Sequence, residues 1–285
     1  MNNAQQLRTL LAAGTPVQAP GAADPLTARL VQDAGFPAVY MTGFGATAVR
    51  LGTPDIGLLT QTEMADHARN MTRAVSIPLI ADADNGYGGP SNIERTVDEY
   101  IRADVAALHL EDQTSPKRCG QMAGVRLMER QRAARHIQAA VAARADRDLL
   151  IIGRTDALGV EGIDVALDRA KLYRDSGADL LFVDGVKTIS QAEAIGRGLE
   201  GPKVLALITG TEAAGLTLEE AGQLGFSIVL YPLDALFAAT GAARSALAAL
   251  RADGVSHAAA QFGYDDFTAV VGLEHHQGLD DDYGS

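Results

Sequence analysis

Ser76-Ile77-Pro78-Leu79-Ile80-Ala81-Asp82-Ala83-Asp84-Asn85-Gly86-Tyr87-Gly88 passes from a short apolar run directly into acid and glycine. The run from Ser76 to Ala81 has the length of a strand, and an uninterrupted apolar strand is one buried on both faces of a parallel sheet. Asp82 and Asp84 then fall where the chain emerges into a loop. The same pattern recurs outward in both directions, at 16–19, 38–41, 78–81, 106–110, 149–152, 180–183, 203–207 and 227–230, which makes eight strand candidates. Ala-rich amphipathic stretches at 93–103, 130–143, 165–176, 189–198 and 218–224 separate them, each long enough for a helix. Glycine follows several of these, as in Ser176-Gly177 and Leu224-Gly225, the expected stop before the next strand. Eight strand–helix repeats without a linker predict an α/β protein with a closed (β/α)8 barrel rather than an open doubly wound sheet.

The 285 residues are 47% hydrophobic and carry a formal charge of −12, so nucleic acid and anionic membrane surfaces are poor partners, and an anionic ligand needs local positive charge. No apolar stretch has the length of a membrane span, and the first residues lack a signal pattern, which predicts a cytoplasmic location. The single cysteine, Cys119, excludes an internal disulfide.

Thr42-Gly43, Asp82 and Asp84, His109 and Glu111, Arg154-Thr155-Asp156 and Asp184 all sit at C-terminal ends of strand candidates, where barrels place their chemistry. One Asp or Gly after a strand is an ordinary turn residue; charge on five strands is a converging site. Asp82, Asp84 and Glu111 suit a hard cation such as Mg2+, with Mn2+ as an alternative, held by one or two direct carboxylates and by others through water. Arg154 leaves a buried strand, a costly place for a guanidinium unless it meets a substrate carboxylate, the alternative being a structural ion pair with Asp156. Thr42-Gly43-Phe44-Gly45 offers backbone N–H groups in a turn that glycine permits, a nest for a carboxylate or enolate oxygen. In Ser115-Pro116-Lys117-Arg118-Cys119-Gly120-Gln121 the cationic neighbours Lys117 and Arg118 are expected to lower the Cys119 thiol pKa, and Gly120 to act as a hinge; the alternative is an inert buried thiol.

The run from Tyr40-Met41-Thr42-Gly43 through Asp55, Asp82-Ala83-Asp84, His109-Leu110-Glu111-Asp112-Gln113, Lys117-Arg118-Cys119-Gly120 and Arg154-Thr155-Asp156-Ala157 resembles the isocitrate lyase and phosphoenolpyruvate mutase superfamily, over roughly residues 7 to 283. It is most similar to the short methylisocitrate lyase-like and dimethylmalate lyase-like members. The resemblance implies a modified barrel spanning 1–285, with 250–285 a helical extension exchanged between neighbours in a homotetramer, a dimer of dimers. It also implies an Mg2+ site and a mobile gate. By position, Thr42, Gly43 and Phe44 would hold the α-keto acid end, with Arg154 on its carboxylate, and Tyr40 and Asp55 would also bind substrate. Asp84 would ligate Mg2+ directly, and Asp55, Asp82 and Glu111 largely through water. Cys119 would exchange the proton, with Lys117, Arg118 and Gly120 in the same gate and His109 lining the site.

The activity implied is carbon–carbon cleavage of a 2-hydroxydicarboxylate, a substituted malate or a methylisocitrate-like acid, to an α-keto acid such as pyruvate or glyoxylate plus a carboxylate. Alternatives are oxaloacetate hydrolysis or decarboxylation, phosphonate mutase or hydrolase chemistry, and a non-catalytic dicarboxylate-binding barrel. Three positions depart from the family pattern: Gln121 stands for His, Asp184 for Glu, and Leu207 for Asn. Asp184 and Leu207 are expected to bound the substrate's second half, favouring a smaller or more apolar malate. The tail from Gln261 through Phe262, Phe267 and Val270-Val271 is expected to dock on a partner subunit, with His275-His276 at the surface.

Overall fold

The computed structural model describes residues 1–255 and 262–284. All eight expected strands form: β1 (Val17–Ala22), β2 (Val39–Met41), β3 (Leu79–Asp82), β4 (Ala107–Leu110), β5 (Leu150–Thr155), β6 (Leu180–Val183), β7 (Lys203–Ala206) and β8 (Ile228–Tyr231). They pair in parallel in chain order, and β8 returns to β1, closing the barrel. Registers such as Asp82↔His109 and Arg154↔Phe182 bring the polar strand ends to one level. The described helices are α1 (Asn3–Ala12), α2 (Pro25–Asp33), α3 (Gly43–Leu51), α4 (Gln61–Ala74), α5 (Pro90–Arg102), α6 (Arg130–Arg144), α7 (Leu158–Glu161), α8 (Ile163–Asp175), α9 (Ile189–Gly198), α10 (Leu218–Gln223), α11 (Asp234–Asp253), α12 (Tyr264–Val271) and α13 (Leu273–Tyr283). Local signals set many starts: Asp24 caps α2 ahead of Pro25, and Thr60/Glu63, Thr188/Gln191 and Thr217/Glu220 form capping boxes on α4, α9 and α10.

Strand alternation sorts the core into two layers. Val17, Ala19, Tyr40, Ile80, Ile152, Phe182, Val204, Ala206 and Leu230 fill the barrel interior together with Ala4 and Leu7 of α1, which plug its N-terminal end. Val39, Met41, Ala81, Leu108, Ile151, Leu181 and Leu205 face the helices. Close packing leaves no room for side chains at some strand glycines. A Cβ on Gly21 would stand 2.3 Å from the Pro232 carbonyl oxygen, a backbone atom that cannot swing aside. Gly21→Ala is therefore expected to destabilise the barrel by about 2 kcal/mol or more, read as a lower urea midpoint at unchanged slope.

The chain divides into two compact units, Met1–Asp234, which contains the barrel, and Ala235–Ser285. In the second unit no described residue is buried, and Phe237, Leu247, Phe262 and Phe267 are exposed apolar side chains. Gln261, expected to belong to the docking tail, lies outside the described residues. His275 and His276 are exposed, as expected, although their rings lie edge to face 5.3 Å apart rather than diverging.

Candidate active site

A cavity at the C-terminal end of the barrel is lined by Tyr40, Thr42, Phe44, Asp55, Asp82, Arg154, Phe182, Asp184, Ala206, Ile208, Leu230, Pro232 and Leu233, and roofed by Lys117, Cys119, Gly120 and Gln121. The roof is the segment after β4. Its two ends are tied by the Gln113–Leu127 bridge and by Thr114 N–H donating to Arg126 C=O, so 115–126 is a loop on a fixed stem. Cys119 N–H donates to Asp55 C=O at 3.0 Å, which seats the roof on the loop preceding α4.

Two buried cations organise the acids. Lys117 Nζ contacts both Asp55 oxygens at 3.0 and 2.9 Å and Asp84 Oδ1 at 2.6 Å. Arg154 donates from Nε and Nη2 to Asp156 Oδ1 at 3.0 and 2.9 Å and from Nη2 to Asp184 Oδ2 at 2.8 Å, approaches Glu111 Oε2 at 3.5 Å, and lies over the Phe182 ring. The intramolecular ion pair with Asp156 is thus present, and Arg154 still lines the cavity. Asp112, buried beneath, accepts from Thr155 Oγ1, Tyr173 OH and Asp156 N–H, fixing the end of β5.

Burial would raise the Asp82 carboxyl, but neighbouring charge pulls it down to about 2. His109 is among those neighbours, yet burial lowers its own pKa to about 4, so at neutral pH the permanent cations Lys117 and Arg154 keep Asp82 ionised. Neutral His109 lies 3.7 Å from Asp82 without an ion pair and shares a 2.9 Å hydrogen bond with Tyr40 OH. Burial raises Asp84 to about 6, against the pull of Lys117, and raises Glu111 far above the ordinary carboxyl value. Both Glu111 oxygens are buried without a hydrogen-bond partner. Asp84 holds a left-handed φ of 47°, tolerated at Asp because local hydrogen bonds compensate: its N–H donates to Asp82 Oδ1, and its C=O accepts from Glu111 N–H.

These orphaned oxygens fit a cation. Six carboxylates (Asp55, Asp82, Asp84, Glu111, Asp156, Asp184) surround two side-chain cations, all of them buried. An anionic substrate would be repelled unless further positive charge joined it. Among the described residues no three His, Cys, Asp or Glu side chains form a ready-made metal cage.

Three sequence expectations change, and a fourth residue gains a structural reason. Thr42 to Gly45 is not a glycine turn: Thr42 caps α3, and its Oγ1 accepts from Gly45 N–H. The N–H groups of a helix's first turn replace the nest, and Gly43 is required because a Cβ would meet Asp82 Oδ2 at 2.4 Å. Gly120, expected as a hinge, has a second reason to be glycine: its missing Cβ would lie 2.3 Å from Asp184 Oδ2, 2.9 Å from Asp156 Oδ1 and 3.0 Å from Arg154 Nη2. The thiol of Cys119 is not acidified, since burial pushes it up to about 11 despite a hydrogen bond from Gln121 N–H. Lys117 is committed to Asp55 and Asp84, and the Arg118 guanidinium donates to Ala123 C=O. Finally, Leu207 faces the helix layer. Alternation places Ala206 and Ile208 at the site instead, and that period, read along 203–208, was the available signal. Asp184 is in the cavity wall but spent on Arg154. Tyr40, Thr42, Phe44, Asp55, Asp82, Lys117, Cys119, Gly120 and Arg154 are brought together in one cavity, whereas Asp84 lies behind Lys117, Glu111 behind Arg154, and His109 beneath Tyr40.

Acid-rich mouth, buried arginine and cysteine-bearing roof place an enzyme-like site at the C-terminal end of a (β/α)8 barrel. Residues 7–251 match the family described as phosphoenolpyruvate phosphomutase, and the chain belongs to that family. It is 37% identical over 287 residues to the 2,3-dimethylmalate lyase of Eubacterium barkeri, covering 100% of this chain and 99% of the relative. It is 41% identical over 253 residues to a probable 2-methylisocitrate lyase of Corynebacterium glutamicum, covering 88% and 82%. Among solved structures, an oxaloacetate acetylhydrolase in complex with 3,3-difluorooxalacetate matches with TM-score 0.95 at 36% identity over 100% of this chain and 98% of that one. A phosphonopyruvate hydrolase in complex with oxalate and Mg2+ matches with TM-score 0.90 at 32% identity over all of both chains.

Proposed function

We propose that this enzyme is an Mg2+-dependent carbon–carbon lyase that cleaves a 2-hydroxydicarboxylate, a substituted malate, to an α-keto acid and a carboxylate. The observation that carries the reading is the protonated Cys119 thiol, held in the roof of a cavity whose floor is Arg154 and buried acid. Asp84 would hold the cation directly, with Asp55, Asp82 and Glu111 reaching it largely through water. Bound there, Mg2+ supplies Lewis-acid withdrawal of charge from the keto-acid oxygens. Arg154 and the first-turn N–H groups of α3 bind the keto-acid carboxylate. The hydroxyl proton passes to an ionised carboxylate of the mouth, Asp82, and the oxygen forms the keto C=O as the bond between the hydroxyl-bearing carbon and its neighbour breaks; the electron pair of the broken bond stays on the neighbour, which takes the Cys119 proton. The closed roof keeps water from that carbanion. Ala206, Ile208, Leu230 and Leu233 offer the substrate's second half an apolar wall, which favours alkyl-substituted malate.

Purified protein with Mg2+ and a panel of malates is expected to release pyruvate or glyoxylate, with oxaloacetate and phosphonopyruvate as parallel substrates for the hydrolase and mutase alternatives. Calorimetric binding of keto acid with no turnover of any of them supports the non-catalytic barrel. The cation is tested apart from activity: Mg2+ is expected to raise the melting temperature of the wild type, and Glu111→Gln to melt higher without metal but to lose the Mg2+ increment. That sign follows because the substitution removes a buried carboxyl whose oxygens lack a hydrogen-bond partner, with Arg154 no nearer than 3.5 Å, and whose charged form is costly without a cation. A homotetramer exchanging its C-terminal helices accords with the exposed apolar side chains of α11 and α12, and light scattering at the tetramer mass is expected.

A further inference from the structure

Gln113 is 1% exposed and follows Glu111 and Asp112 in the segment after β4, yet it is not among the residues that line the cavity. Its amide is spent on the roof instead. Oε1 accepts from Arg118 N–H at 2.9 Å, and Nε2 donates to Arg118 C=O at 2.8 Å, so one side chain satisfies both backbone groups of a roof residue as a neighbouring strand would. The same Nε2 donates to Asp156 Oδ2 at 2.6 Å, while Asp156 Oδ1 holds the Arg154 guanidinium. Arg118 adjoins Cys119, whose neighbour Gly120 packs on Asp184 and Arg154.

We infer that Gln113 is a positioning residue, a latch that makes closure of the 115–126 roof conditional on the Asp156–Arg154 pair being in its substrate-binding arrangement. The inference rests on the lyase reading only for the purpose of closure, since the latch itself is a property of the fold. Amide chemistry is needed for the role. The position must donate to two acceptors and accept from one donor, and of the side chains this size only Gln does so without adding charge beside Asp156. Glu in its place keeps the acceptor, loses both donors and sets a second carboxylate against Asp156. An open roof would expose Cys119 and the Lys117 and Arg118 peptide bonds.

The test is the ligand-free full chain treated with a maleimide, or with trypsin, under conditions where modification reports the equilibrium population of the open roof. Gln113→Glu, and Gln113→Asn, which withdraws the amide by one methylene, are expected to speed Cys119 labelling and nicking at Lys117–Arg118 by about tenfold or more, the loss expected for a hydrogen bond to a charged acceptor. Their unfolding midpoints fall by no more than the loss of this one roof contact accounts for, because the strands remain paired. Oxalate, as an anion for Arg154, is expected to protect the roof in the wild type and much less in the variants. Unchanged labelling and nicking in folded variants overturns the latch. So does labelling that rises only in step with global unfolding in both variants, which makes Gln113 a core residue of the fold. Failure of the malate panel in the wild type would leave these rates as they are, so the two ideas fail separately.

Discussion

Gly120→Ala is expected to lower kcat/KM by about a hundredfold or more in a protein that folds normally. The added methyl meets Asp184 Oδ2 at 2.3 Å, and that oxygen is not free to move, because Arg154 Nη2 holds it at 2.8 Å. The next atoms in its way, Asp156 Oδ1 and Arg154 Nη2, belong to the same buried cluster, so the roof must lift rather than the floor give way. Lifting by about 1 Å displaces Cys119 from the position at which its proton can be transferred, and misplacement on that scale has the stated effect. Since 115–126 is a loop on a fixed stem, outside the paired strands of the barrel, stability should change little. A variant with wild-type turnover would show that the roof does not seat on these acids during the reaction.

Cys119→Ser is expected to reduce kcat by about two orders of magnitude or more, with little change in keto-acid binding, which calorimetry can check. Burial holds the thiol protonated up to about 11, against an ordinary value of 9.0, so across neutral pH it is an acid ready to give its proton and not a thiolate nucleophile. The pH profile follows: an alkaline limb due to this group belongs near 11, and wild-type activity should not fall through 9 on its account. Stability has the matching sign. The folded thiol keeps its proton where the unfolded one has lost it, so its stabilising contribution is complete below about 9 and is lost as pH rises through about 11. The serine variant lacks that alkaline loss. Turnover unchanged by the substitution would remove the thiol from the chemistry and leave the acids and Arg154 to account for it.

The sequence alone determined the barrel, because strand and helix are written in local periodicity: eight short apolar runs, most of them followed within three residues by a glycine or a charge, can bury themselves only in a parallel sheet covered by helices. It also determined which strand ends carry chemistry, since charge after a buried strand emerges at the same mouth in every repeat. What it did not determine are the interactions across the mouth. Lys117 and Arg118 adjoin Cys119 in the chain, which suggested an acidified thiol; in the fold Lys117 is drawn to Asp55 and Asp84, sixty-two and thirty-three positions away, and burial acts on the thiol in the opposite direction. Leu207 aligned with a family substrate contact, yet alternation along β7 turns it outward and gives the wall to Ala206 and Ile208. Gly43 and Gly120 were read as sources of backbone freedom and are, in the fold, points of closest approach to acids on other strands. A pKa and a contact distance depend on desolvation and on charges that converge from distant parts of the chain, and only the closed barrel brings those together.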